Sequence, residues 1–81
     1  MKTIVDSTRD PITGIVNIRL RPQYSDTFAA FLTSTNIRFS RSDAIFPYRG
    51  QSGQQEDVVP FLIYDFDDEI KNTISAWDDS Q

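Results

Sequence analysis

The chain has 81 residues, 38 % of them hydrophobic, with ten aromatic side chains and a net charge of −4. A chain of this length builds about one small domain and buries only ~60 % of its unfolded surface, so the aromatics must carry much of a modest core. Neither cysteine nor histidine occurs, which excludes disulfide staples, thiolate chemistry, zinc sites of the Cys/His kind and imidazole acid/base catalysis. The charge is unevenly spread. Residues 1–50 hold seven basic and four acidic side chains, whereas residues 51–81 hold one and eight. Such asymmetry speaks to partners and association rather than to fold.

The first residues, Met1 to Asp6, contain no apolar stretch of the signal-peptide kind, and no run approaches the ~20 apolar residues of a membrane span. The expectation is a cytoplasmic protein with no membrane association. The absence of cysteine agrees with a reducing compartment.

In chain order, residues 4–9 and 14–21 flank Asp10-Pro11-Ile12-Thr13-Gly14, which reads as a β-hairpin. Asp accepts backbone hydrogen bonds at the turn, Pro sets the next backbone angle, and Gly takes the left-handed conformation. Val16, Ile18 and Leu20 then share one face of the second strand, leaving Arg19 and Arg21 on the other. Pro22 ends the strand. Tyr24, Phe28, Phe31 and Leu32 recur at helical spacing, predicting a helix over 23–34 with Ser25 as N-cap and Asn36 as its left-handed exit.

Alternation resumes at Ile37, Phe39 and Arg41, and apolar character returns at 44–48 after Ser42-Asp43. This is either one bent strand with a bulge or two pieces. Residues 49–57, rich in Gly, Ser and Gln, are expected to form a mobile surface loop. Val58 to Tyr64 is the most apolar run, reading as a central strand whose ladder is spoiled only by Pro60. From Asp65 or Asp67 to about Trp77, the stripe Phe66, Ile70, Ile74, Trp77 predicts an amphipathic helix, with a frayed tail over 78–81. The fold expected is α+β: a small single-layer, mostly antiparallel sheet with two helices on one face, in the order ββαββα.

The join between the last strand and helix invites a catalytic reading. Phe61-Leu62-Ile63-Tyr64-Asp65-Phe66-Asp67 resembles the hydrophobic-strand-then-DxD pattern of haloacid dehalogenase-type phosphatases. That resemblance would imply Asp65 as nucleophile, Asp67 as acid/base and a magnesium ion. The fourteen residues after Asp67 hold none of the remaining catalytic parts. A calcium loop fails as well, because Ile70 stands where Gly is needed and Ala76 where Glu is needed. The expectation is therefore a non-enzyme with no metal site and no cofactor.

Two surfaces remain. Glu56, Asp57, Asp67, Asp68, Glu69, Asp78 and Asp79 would form an acidic face for a protein partner with a basic surface. Arg19, Arg21, Arg38 and Arg41, with Tyr48 near them in sequence, would form a sheet face for single-stranded nucleic acid, the less favoured alternative. In size and charge the chain is similar to antitoxins, immunity proteins and phage anti-defence factors, some of which mimic nucleic acid charge. The leading expectation is a stoichiometric inhibitor or regulator, with homodimerisation a natural aid to so small a core.

Overall fold

A computed structural model describes residues 3–50 and 53–81. It is a small α+β domain: two helices on one face of an open, antiparallel sheet. The strands are β1 (Ile4–Arg9), β2 (Val16–Leu20), β3 (Phe39–Arg41), β4 (Phe46–Arg49) and β5 (Gln55–Ile63). The helices are α1 (Ser25–Ser34) and α2 (Asp68–Asp79). The main path of the sheet is β1-β2-β5-β3, with β4 also paired to β5.

The β1–β2 hairpin closes as its sequence requires. The N–H groups of Ile12 and Thr13 donate to Asp10 Oδ1 at 2.8 and 3.3 Å, the Gly14 N–H donates to the Asp10 carbonyl, and Gly14 sits at φ 74°. Beyond the turn, Val16, Ile18 and Leu20 are buried, while Asn17 and Arg19 alternate to the other face.

Strands β3 and β4 are the two pieces of the third segment. β3 lies against Phe61–Ile63 and β4 against Gln55–Val58, so residues 42–45 span only Val59 and Pro60 of the facing strand. Those two surplus residues make the break. They also explain how Pro60 sits inside a central strand. Its carbonyl accepts from the Ser42 N–H on that edge, so its missing N–H falls opposite the interruption, where no acceptor needs it.

Three boundaries differ from those expected. The loop predicted over 49–57 is shorter, because Arg49 belongs to β4 and Gln55, Glu56 and Asp57 to β5. Their backbones pair as a hairpin, a pattern open to polar residues on an exposed strand. Gln51 and Ser52 lie outside the described residues. Ser25 is not an N-cap: Pro22–Tyr24 forms a 3-10 turn that runs directly into α1, and Ser25 already has helical angles of −59° and −49°. Finally, α2 continues through Asp78 and Asp79 instead of fraying at Trp77. At the other end of α1, Asn36 does adopt the left-handed exit, at φ 59°.

The core lies between the helices and one sheet face. Val16, Ile18, Leu20, Val59, Phe61 and Ile63 meet Phe28 and Leu32 of α1 and Ile74 of α2. The opposite face is open, apart from Val58, which is buried there in register with Phe46.

The two N–H donors at the hairpin hold the Asp10 carboxyl below its ordinary value of 3.8. A depressed folded value contributes stability that is full above the unfolded pKa and lost as pH falls through the folded one. In an NMR titration Asp10 should therefore protonate below 3.8. In Asp10→Asn the matching acid-side loss of stability should disappear.

Candidate functional site

The seven carboxylates expected on one surface occupy three separate places. Asp67, Asp68 and Glu69 open α2 and are exposed. Asp67 is the N-cap, its Oδ1 accepting from the Ile70 N–H at 2.8 Å, and all three favour the helix dipole. Asp68 and Glu69 make no ion pair with any described residue. Glu56 and Asp57 lie at the start of β5, about 20 Å along the strand from its other end. There Glu56 receives a forked contact from Arg21, with Nε–Oε1 at 3.0 Å and Nη2–Oε2 at 3.5 Å.

Asp78 is not a surface acid at all. It is 2 % exposed, and its Oδ1 accepts from the backbone N–H of Thr3 at 2.8 Å and from the Thr3 hydroxyl at 2.5 Å. This clamp ties the end of α2 to the start of β1 and explains a negative charge that the helix dipole alone would disfavour. Asp79 next to it is exposed, about 16 Å along the helix from Asp68.

The arginines do not form one platform either. Arg19, Arg21 and Arg38 belong to the open face, but Arg41 pairs in register with Phe61, a residue of the helix-covered face. Its guanidinium meets Asp26 Oδ1 at 2.9 Å and Ser25 Oγ at 3.2 Å. On the open face, Arg38 bridges Asp65 at 3.1 Å and lies 5.7 Å from the Tyr64 ring centre. Arg19 approaches Asp6 Oδ2 at 3.6 Å and sits 4.7 Å from the Tyr48 ring centre. Each of the four is paired with a carboxylate.

The catalytic reading of Asp65 and Asp67 fares no better. Asp65 adopts φ 55° and faces Arg38, while Asp67 caps α2, so the two carboxylates serve different partners. Among the described residues no three acidic side chains gather to hold a metal ion. No described helix is long and apolar enough to cross a membrane.

Two features escaped the sequence. One is the open-face cluster Asp6, Arg19 and Tyr48, whose members are far apart in the chain and meet only because β1 neighbours β2 and the end of β4 reaches across. The Tyr48 hydroxyl donates to Asp6 Oδ2. The other is a groove of about 570 Å³ between β1 and α2. Its floor is Ile4, Val16, Ile18 and Ile74, and Asp67, Asp68 and Asp79 line it from the helix. The acids at the start of the second helix were legible; the uncovered strip of sheet beside them was not.

No family model, curated protein or solved structure matches this chain. Its chemistry is read from its own residues.

Replacing Asp78 by Ala leaves the Thr3 N–H and hydroxyl buried without their acceptor, and should cost roughly 2–4 kcal/mol in urea unfolding. Asp78→Asn, which keeps one acceptor oxygen, should cost less. The Asp6 carboxylate raises the Tyr48 pKa above 10.0. A raised folded value gives stability that is full below the unfolded pKa and lost as pH rises through the folded one. Ultraviolet titration should show one late-ionising tyrosine that is absent in Tyr48→Phe.

Proposed function

We propose that the chain is a non-catalytic protein-binding module, a stoichiometric inhibitor or regulator that presents carboxylates to a basic surface of its partner. The observation that carries this reading is the inequality of charge pairing. Arg19, Arg21, Arg38 and Arg41, the arginines of the alternative nucleic-acid face, are each engaged by an acid, whereas Asp68 and Glu69 stand exposed without a cationic partner among the described residues, as Arg9, Arg49 and Lys71 stand without an anionic one. Unpaired exposed charge of one sign steers encounter and selects partners of opposite sign.

The same pairing weighs against the nucleic-acid alternative. An arginine already bridged to a carboxylate must break that pair before it meets a phosphate, and Arg41 lies on the wrong face to join the others. Antitoxins, immunity proteins and anti-defence factors are the functional types with this size and charge, and a cytoplasmic setting suits them.

The clean test leaves Asp67 and Asp78 intact, because both hold structure. Asp68→Lys with Glu69→Lys should keep the fold, as judged by circular dichroism. It should abolish salt-sensitive capture of the partner from lysate of the native host. Unchanged capture overturns the acidic-surface reading. Single-stranded DNA or RNA should show no appreciable binding at low salt by fluorescence anisotropy, and binding lost in Arg19→Ala/Arg38→Ala would favour the alternative.

A further inference from the structure

We infer that residues 43–49, at the edge of the sheet opposite β1, are the contact through which two copies of this chain associate about a two-fold axis centred on Phe46. The inference is independent of the acidic surface proposed above, since Asp68 and Glu69 take no part in it.

Exposure marks the segment. Among the described residues β4 pairs with β5 alone, which leaves its other side as an edge. Ala44, Ile45, Phe46 and Pro47 are consecutive apolar residues, all open to solvent, with Ile45 58 % and Phe46 47 % exposed. Residues 42–45 span only Val59 and Pro60 of the facing strand, so the surplus backbone leaves the ladder and carries Ala44 and Ile45 with it. An apolar run held outside the core adds nothing to folding, and an apolar edge is a template for association that edge strands ordinarily avoid. The opposite edge has no such run: the exposed part of β1 is Ser7, Thr8 and Arg9.

Charge identifies the occupant. Asp43 precedes the apolar run and Arg49 follows it. Both are exposed, and neither makes an ion pair with a described residue. Asp57, which stands opposite Pro47 in the ladder, does not take up Arg49. Within one chain the run itself holds Asp43 and Arg49 apart, by up to about 20 Å of extended backbone.

Reversed against a second copy, the segment is its own complement. With Phe46 opposite Phe46 of the second copy, Ile45 lies opposite Pro47, Ala44 opposite Tyr48, and Asp43 opposite Arg49. Each of these unlike contacts occurs twice, as a two-fold axis requires. Opposite charges close both ends and apolar side chains fill the middle.

The backbone selects the same register. The Gly50 N–H donates to the Gln54 carbonyl, and bonding alternates along an antiparallel pair. Phe46 and Tyr48 therefore bond to β5, while Pro47 turns outward with a carbonyl and no N–H. Opposite that carbonyl the second copy places Ile45, which keeps its donor. Shifting the axis to Pro47 would face two prolines without a donor between them and set Arg49 opposite Ile45 instead of Asp43. A contact confined to one short edge lies at the low end of interface sizes, below ~1,200 Å² in total, so the dimer is reversible and concentration-dependent.

Sedimentation equilibrium of the full chain over about 1 μM to 1 mM tests this, with dissociation expected at roughly 10–100 μM. Phe46→Ser with Ile45→Thr should weaken the dimer by about tenfold or more. Asp43→Arg and Arg49→Asp should each weaken it about fivefold, and the double variant Asp43→Arg/Arg49→Asp should restore it. Circular dichroism checks the fold of each variant. Where one does not fold, concentration-dependent amide shifts in the unaltered chain decide, and these are expected at residues 43–49.

A chain still monomeric at the highest concentration, or a dimer indifferent to Phe46→Ser/Ile45→Thr, overturns the inference. So does a double charge variant no better than the single ones, or amide shifts at Ser7, Thr8 and Arg9 in place of 43–49. Asp68→Lys/Glu69→Lys should dimerise as the unaltered chain does, and loss of the dimer in that variant also overturns this contact.

Discussion

Phe28 is the point at which three elements of this small protein become one body. Its ring stands edge-on to Phe61 of β5 at 4.9 Å and lies 4.9 Å from Trp77 of α2, while Phe31 stacks on Trp77 at 5.4 Å and lies 6.3 Å from Phe28. Sheet, first helix and second helix are therefore tied through aromatic contacts set within a mainly aliphatic core. An 81-residue chain has little interior to distribute, and each aromatic buries 150–250 Å² or so, with ring geometry adding about 0.5–1.5 kcal/mol per pair. Phe28 and Phe61 are both fully buried, so both ends of the central contact are held.

The position of β5 follows from that constraint. It is the strand against which β2, β3 and β4 all pair, and Phe61 lies in the middle of its most buried part. Placing the best apolar run at the centre leaves the hairpin strand β1 at one rim, reached by α2 through Ile4, Ile74 and the Asp78–Thr3 clamp. The groove beside β1 is the geometric remainder of covering a four-strand width with two helices. The layer that completes the core is too narrow to cover the sheet.

Charge behaves in the same way. The basic first half and acidic second half of the chain are folded onto one another, so Arg21 meets Glu56 and Arg38 meets Asp65 across 35 and 27 residues. Exposed pairs of this type add little stability, on the order of 0–1 kcal/mol each, but they remove positive charge from the surface. Among the described residues, Asp68 and Glu69 at the start of α2 stay exposed without an ion pair, and so do Arg9, Arg49 and Lys71.

Much of the architecture was legible because it depends on neighbours in sequence. Asp10 to Gly14 dictates its turn through local hydrogen bonds, Val16-Ile18-Leu20 dictates a face through the two-residue period, and Asp67 caps α2 three residues ahead of Ile70. The expected helix cap at Ser25 was lost to Pro22, whose ring began a helical turn earlier. Other assignments required the fold. Asp78 resembles any tail carboxylate until Thr3, 75 residues away, supplies two donors and buries it. Arg41 resembles Arg19 until the break at residues 42–45 and the pairing with Phe61 put it on the helix side. Turns, strand faces and helix spans were determined by the sequence alone, since backbone preferences and periodicity act over a few residues. Which charges remain available to a partner was decided only by tertiary structure, because a charge is cancelled or freed by whatever distant residue the topology brings beside it.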